Sequence, residues 1–335
     1  MKKRVRLKDI ASALNLSITT VSRALNNKSD ISRETKQKVL EVAEILDYRP
    51  NYFAKYLTED HNNILGIIIP KINHSYFSKI MEGALYEAHK RGYFIIIGES
   101  LDDQEEEANI LNQFLDLKVQ GILVAPVFQS LFTKSESISK YKNERIVLID
   151  RSTNFNFLPE ITNNHFQGAL SAMVHLQEEG YKNIAHIRGL QGDDIAKSIY
   201  EGYCYFTDQR KQEQLVFTCN EVTPDHGYEA MKHFMSLKNK PDAIFSISDE
   251  AAQGVYRYCY EHNINIPHDI GVIGYSNASF SKYLTPSLST IDQHSYNMGK
   301  YAITLLTSDE KLLPETKRVF KSDLIIREST KRNQK

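Results

Sequence analysis

Residues 8–57 read KDIASALNLSITTVSRALNNKSDISRETKQKVLEVAEILDYRPNYFAKYL, and the apolar side chains here fall into three short helical patterns. Leu7, Ile10, Ala11 and Leu14 recur at helical spacing and predict a short amphipathic helix. Asn15-Leu16-Ser17 interrupts it. Ser17 suits an N-cap, because its hydroxyl accepts from a backbone N–H that a helix start leaves unpaired. Leu16 ahead of the cap and Val21 beyond it form a hydrophobic staple, which fixes the angle at which the chain enters the next helix. That second helix runs from Ile18 to about Leu25. It turns Val21, Ala24 and Leu25 inward and leaves Ile18, Thr19, Ser22 and Arg23 outward. Ser32 caps a third helix in which Val39, Val42, Ala43 and Leu46 recur at i, i+3, i+4 and i+7. Three short helices on one small core, with a tight first turn, describe a helix-turn-helix head.

Charge separates this head from the rest. Residues 1–58 hold twelve Lys and Arg against six Asp and Glu, a balance of +6. The whole chain of 335 residues carries −1, so the remainder carries −7. A basic head on an acidic body points to a polyanion met by the head alone, although small basic domains also bind membranes or acidic proteins. Hydrophobic residues at 41% and charged residues at 25% exclude a disordered chain. No apolar run is long enough to span a bilayer, the longest being Ile64 to Pro70. The basic N-terminus lacks the apolar segment of a secretory signal. Cys204, Cys219 and Cys259 are odd in number and scattered, which suits small buried residues of a reduced cytoplasmic protein rather than disulfides or a metal site.

The "TVSRALN" core, the "SRET" start of the third helix and the "YRPN" exit resemble the head and hinge of the LacI/GalR family of bacterial transcription regulators. The resemblance implies that Ile18 and Thr19 open a recognition helix and meet base edges in the major groove, with Arg23 on the same face. Many members have Tyr where this chain has Ile18, which instead offers an apolar contact to a thymine methyl. Thr20, Ser22 and Asn26 are placed for backbone phosphates, which position the head without reading sequence. Asn51 to Thr58 is similar to the family's hinge, helical on the operator, and Leu57 matches its minor-groove wedge with Ala54 one turn earlier. The other reading is a linker whose Tyr52, Phe53 and Leu57 pack on the body.

From Ile64 onward, short apolar runs alternate with amphipathic helices: Ile64–Ile69, Phe94–Ile97, Gly121–Ala125 and Ile146–Ile149, then Ile184–Ile187, Leu215–Phe217, Ala243–Ile247 and Gly271–Ile273, ending with Lys321–Ile326. Runs buried on both faces signal parallel sheets covered by helices, and two such series predict two similar lobes with a cleft between them. "IVLIDR", "GALSAMVHLQEEGYKNIAHI", "NIPHDIGVIGYSN" and "LTPSLSTIDQ" resemble the family's effector-sensing body, which is similar to periplasmic sugar-binding proteins. Ligands sit at the carboxyl ends of parallel strands. Effector candidates are therefore Tyr76 and Phe77 after the first strand, Arg151 closing "IVLIDR", Asn163, Asn164, Phe166, Lys197, Asp249 after "AIFSIS", and Ser276. Arg151 and Asp249 can hold adjacent hydroxyls as donor and acceptor, or can bridge the lobes. The chain departs from the family at Ser276, where many members have aspartate, and at Ile199, where arginine is frequent and Lys197 lies nearby. Arg188 stands where small residues are common. These changes remove acid and add base, which suits an anionic sugar derivative unless Arg188 pairs with a surface acid.

An enzyme is the rival class, but the GxxxxGK[ST], G-x-S-x-G and HExxH signatures are missing, and the eleven histidines are scattered. The run Asp102 to Glu107 suits the first turn of a helix, where carboxylates favour the dipole. The expected architecture is α/β: a three-helix helix-turn-helix head (1–50), a hinge (51–61), a two-lobed periplasmic-binding-protein-like body with parallel sheets (62–330) and a polar tail (331–335). The expected partners are operator DNA, a sugar-like effector and a second copy of the chain, with no cofactor, metal or membrane, in the cytoplasm at the nucleoid. After Arg327 no heptad helix follows that would join two dimers.

Overall fold

A computed structural model describes residues 5–48, 63–127, 130, 132, 139–152, 157–310 and 312–332. The chain divides into two compact units, residues 1–62 and 63–335. Asn51, Ala54 and Leu57, the hinge candidates, lie outside the described residues.

The head holds α1 (Leu7–Leu14), α2 (Ile18–Leu25) and α3 (Arg33–Ile45). Each start is fixed locally. Ser17 accepts from Thr20 N at 3.0 Å and Ser32 from Thr35 N at 3.2 Å, while Asp9 accepts from Arg6 N at 2.7 Å. α1 stops where Asn15 turns left-handed, a conformation that asparagine tolerates. One face of each helix then closes a small core of Ile10, Ala11, Val21, Ala24, Val39 and Ala43, with Leu16, Leu25, Val42 and Leu46 packed around it.

The body contains two six-stranded sheets. Lobe 1 has the order β11-β5-β4-β3-β1-β2 and lobe 2 the order β12-β10-β9-β8-β6-β7. In lobe 1, β1 (Ile64–Ile69), β2 (Phe94–Glu99), β3 (Gly121–Val124), β4 (Ile146–Asp150), β5 (Glu160–Asn163) and β11 (Lys317–Phe320) all run parallel. α4 (Ser75–Lys90) and α10 (Ser295–Leu306) cover one face and α5 (Gln104–Asp116) the other. In lobe 2, β6 (Ile184–Arg188), β7 (Leu215–Thr218), β8 (Ala243–Ser246), β9 (Gly271–Tyr275) and β10 (Ser289–Asp292) are parallel, and β12 (Asp323–Ile325) is antiparallel. α6 (His165–Glu178) and α7 (Asp194–Gln209) lie on one face, α8 (Pro224–Ser236) and α9 (Asp249–Glu261) on the other.

Both lobes bring one helix pair to backbone contact through glycine. A Cβ on Gly83 of α4 would stand 1.9 Å from the Tyr296 carbonyl oxygen of α10, and one on Gly254 of α9 would stand 1.8 Å from that of Pro224 in α8. Three segments cross between the lobes, after β5, β10 and β11. Asn163 ties them together: its amide donates to the Gln293 carbonyl at 2.7 Å, and its oxygen accepts from Ser322. Asn164 N donates to Phe320 O at 3.0 Å beside them.

Ser329 and Thr330, the last residues of the body, are fully buried, bonding to Val272 O and His175 respectively. Arg332 reaches Asp242 at 3.0 Å and lies over the Tyr181 ring. In the acidic run, Asp103 caps α5 as a solvated first turn requires, yet Glu107 is buried and accepts from Val127 N at 2.8 Å.

Candidate functional site

Two surfaces carry chemistry, one in each unit. On α2, Ile18, Thr19, Arg23 and Asn26 are exposed along one side, Ile18 by 53% despite being apolar. An exposed isoleucine amid polar neighbours suits an apolar contact to a partner. Ser22 is half-buried within the same face. Thr20 sits off it, its hydroxyl 2.8 Å from that of Ser17 and thus engaged in the cap. Arg23 is paired with Asp30 at 2.8 Å.

In the body, the carboxyl ends of the strands face each other across the cleft. Two contacts join the lobes there. Arg151, after β4, donates from Nη2 to Asp193 Oδ2 at 2.5 Å. Ser75, at the start of α4, donates its N–H to Glu250 Oε1 at 3.2 Å, with its hydroxyl on the same oxygen. Arg151 Nη1 also donates to Pro126 O at 2.6 Å, but Nε is buried without a partner. His74 Nδ1, His165 Nε2, Arg188 Nε, Glu250 Oε2 and Ser276 Oγ share that condition. All six belong to residues at, or within five positions after, the carboxyl ends of strands, and three further such atoms among the described residues, on Gln120, His186 and Gln212, lie elsewhere. Buried polar groups are normally paired, so their concentration here marks a place that a polar ligand or water completes.

The electrostatics are set by burial. Asp150 has φ +81°, and the nearby Tyr76 hydroxyl donates to Met298 Sδ at 3.9 Å. Burial pushes the Asp150 carboxyl up to about 6, although Arg151 and Tyr76 pull the other way. Tyr76 is pushed well above the ordinary phenol range by burial and by Asp150. Burial also drives His165 down to about 4, so this ring, 3.3 Å from the Tyr275 hydroxyl, is neutral. Asp193 is opposed by burial, but Arg151 outweighs it and holds the carboxyl below its usual range.

Arg151 and Ser276 are among the residues with unpartnered atoms after strand ends, whereas Tyr76 and Phe77 are buried side by side in the lobe 1 core. Other expectations need correction. Asp249 is fully buried within lobe 2, and its oxygens are occupied by Ala278 N at 2.7 Å, Ser281 Oγ at 2.5 Å and Thr290 Oγ1 at 2.6 Å. Asn163 holds the crossovers, so its amide is spent. Asn164 caps α6 by accepting from Gln167 N at 3.0 Å. Phe166 packs edge-on against Tyr205 in the far half of α7. Lys197 is largely solvated, 3.9 Å from Glu201. Arg188 pairs with no acid among the described residues and lies 4.1 Å over the Tyr200 ring. The sequence reading passed over Asp150, His165, Asp193, Glu250 and His74. A signal existed for Asp193, an N-cap candidate two residues before Ile195, and for Asp150, which "IVLIDR" places next to Arg151.

Among the described residues no group of three His, Cys, Asp or Glu side chains could hold a metal, and no helix is long and apolar enough to cross a membrane. Cys219 and Cys259 are buried, which pushes their thiols up to about 11 and about 12.

A helix-turn-helix head joined to a two-lobed α/β body with polar groups converging between its lobes defines the class of ligand-responsive DNA-binding regulators. Residues 6–51 match the family of bacterial regulatory proteins of the lacI type, and residues 173–330 match the periplasmic binding protein-like domain. Catabolite control protein A of Priestia megaterium is 31% identical over 309 residues, covering 90% of this chain and 92% of the relative. The lac repressor dimer bound to operator and the anti-inducer ONPF superposes with a TM-score of 0.85 at 21% identity, over 98% of this chain and 99% of that one. A LacI family regulator from Enterococcus faecium with bound ribose gives 0.69 at 21% identity, over 81% and 100%. The chain belongs to the lacI family of bacterial transcription regulators and is not an enzyme.

Proposed function

We propose that this chain is a sequence-specific repressor that binds a palindromic operator as a homodimer and takes a sugar or sugar derivative between its lobes. The observation that carries the effector reading is the set of six unpartnered buried polar atoms at the strand ends. Arg151 and Ser276 are the contacts foreseen from sequence, and Asp150, His165 and Glu250 join them. On the DNA side, Ile18, Thr19 and Arg23 read base edges, Asn26 and Ser22 meet phosphates, and Asn51, Ala54 and Leu57 form the hinge over residues 51–61, with Leu57 the minor-groove wedge. For the second copy, β2 is the edge strand of lobe 1 and exposes Phe94 and Ile97, followed by exposed Leu101, an apolar edge that proteins normally cover. Two heads then span half-sites about one helical turn apart. Effector binding changes the angle between lobes, and its coupling to the operator is reciprocal and of order 1–3 kcal/mol. The protein acts on DNA in the cytoplasm.

The test is selection of bound sequences from random duplex DNA with the full chain at physiological salt, followed by thermal shift against neutral and acidic sugars. Enrichment of a palindrome, and a ligand that both raises the melting temperature and changes operator affinity, is the expected outcome. A salt-sensitive interaction with no enriched sequence would remove the regulator reading from the head. Ligands that stabilise the chain without touching operator affinity would remove it from the cleft.

A further inference from the structure

Arg23 and Asp30 form an ion pair between α2 and the turn that follows it, with Nη2 2.8 Å from Oδ2 and both side chains about half exposed. A pair so exposed adds little to folding. Other acids of the head bond close to home: Glu34 to Lys38 at 2.8 Å and Glu41 to the Gln37 amide at 3.0 Å within α3, and Asp9 to Arg6 N at 2.7 Å. Asp30 differs in reaching across to the exposed face of α2.

Its placement has a cost. A carboxylate on the side of a basic head that meets phosphates opposes polyanion binding of every sequence. What it supplies is orientation. A long arginine on a helix surface samples many rotamers, whereas reading guanine demands that its planar fork lie in the base plane, two N–H groups on O6 and N7. The contact to Asp30 is an ion pair at one Nη2 edge of the guanidinium, and among the described residues no other acid pairs with Arg23.

We propose that Asp30 is a specificity-determining positioning residue: it holds the Arg23 guanidinium in the attitude that reads guanine and, by its charge, weakens binding wherever that guanine is missing. The inference rests on the assignment of the α2 face to the major groove. It makes discrimination and general affinity move in opposite directions, which loss of folding cannot do, since an unfolded head loses both.

The experiment runs the same random-duplex selection, and titrations of operator and scrambled duplex at fixed salt, on wild type, Asp30→Ala, Asp30→Asn, Arg23→Ala and the double variant. Arg23→Ala identifies the base pair it reads as the position whose preference collapses. Asp30→Ala is expected to cut the ratio of operator to scrambled affinity by about ten-fold at that position, within the range of one bidentate base contact, while its affinity for scrambled duplex rises. Asp30→Asn keeps an acceptor without charge, so its scrambled affinity rises as in Asp30→Ala with a smaller loss of ratio. The double variant should match Arg23→Ala, the signature of two residues acting as one. An unchanged ratio in both Asp30 variants, or the same loss in the Arg23→Ala background, overturns the role of Asp30 and leaves the head assignment standing. An unchanged preference in Arg23→Ala, or no enriched sequence with wild type, overturns both.

Discussion

β4 of lobe 1 ends in Asp150-Arg151, and β9, which holds the same place in the strand order of lobe 2, is followed by Ser276-Asn277. Asp150 and Ser276 both bend the chain through positive φ, +81° and +107°, which is unfavourable for residues other than glycine and persists only where the surroundings enforce it. The geometry is shared and the chemistry is not. In lobe 1 the pair is charged, and Arg151 reaches across to Asp193. In lobe 2 it is neutral, and Asn277 is tied down by Arg327 at 2.7 Å, Asp292 at 3.0 Å and Thr290 at 3.2 Å. The buried acid that lobe 2 does carry, Asp249, is spent on its own loops. At this matched position lobe 1 therefore supplies charge that reaches across the cleft and lobe 2 a neutral, braced rim.

The largest expected effect tests the helix packing that both lobes share. Gly83→Ala and Gly254→Ala each drive a Cβ to within 2 Å of a backbone oxygen, and backbone cannot swing aside as a side chain can. Each should cost about 3 kcal/mol, the upper end for over-packing, read from urea unfolding of the full chain. If one variant is tolerated and the other is not, the two helix pairs are not equivalent and the comparison of lobes loses its scaffold.

Next come the two buried acids. Asp249→Ala strands one backbone N–H and two hydroxyls and should lower stability by about 2 kcal/mol while leaving effector response intact. Asp150→Asn should do the reverse. Its folded pKa of about 6 lies above the ordinary 3.8, so the native state holds this proton more tightly than the unfolded chain does. The wild type therefore loses stability as pH rises from about 4 to about 6, and the full cost is present above that window. Asparagine carries no such proton, so the variant gains on wild type over the same window, by about 3 kcal/mol at pH 7. Urea midpoints at pH 4, 5, 6 and 7 read the difference, and a gap independent of pH would sink the assignment. Loss of the ligand-induced thermal shift in Asp150→Asn, with its retention in Asp249→Ala, completes the contrast.

The central strands were legible because they are continuous apolar runs; β1, β3 and β4 read as buried on both faces and are. The head was legible because capping serines and apolar spacing agree with one another. β5 (EITN), β10 (STID) and β11 (KRVF) escaped, being four residues long and largely polar. They are the strands that feed the crossovers, where side chains such as Asn163 bond to neighbours instead of filling a core. Asp249 misled for a related reason. Its position after a parallel strand is what a ligand contact requires, but only the fold brings Ala278, Ser281 and Thr290 onto it, from 29 to 41 residues away.

The smallest effect concerns the contact that makes lobe 1 the reaching partner. Asp193 divides its oxygens between two tasks: Oδ1 accepts from Ile195 N at 2.8 Å and Ala196 N at 3.1 Å, and Oδ2 takes Arg151. Asp193→Asn retains an oxygen for the helix cap but turns an NH2 group toward the guanidinium, so the cap survives and the bridge does not. Retention of the cap holds the stability loss to about 1 kcal/mol or less. The Ser75–Glu250 contact still spans the cleft, so opening is partial, seen as a small rise in radius of gyration by X-ray scattering without ligand. Arg151 then has no carboxylate from lobe 2 to displace, and a ligand that bonds to it should bind more tightly than to wild type. Unchanged scattering and affinity, with a stability loss near 2 kcal/mol, would reduce Asp193 to a helix cap and make the second lobe as self-contained at Asp193 as it is at Asp249.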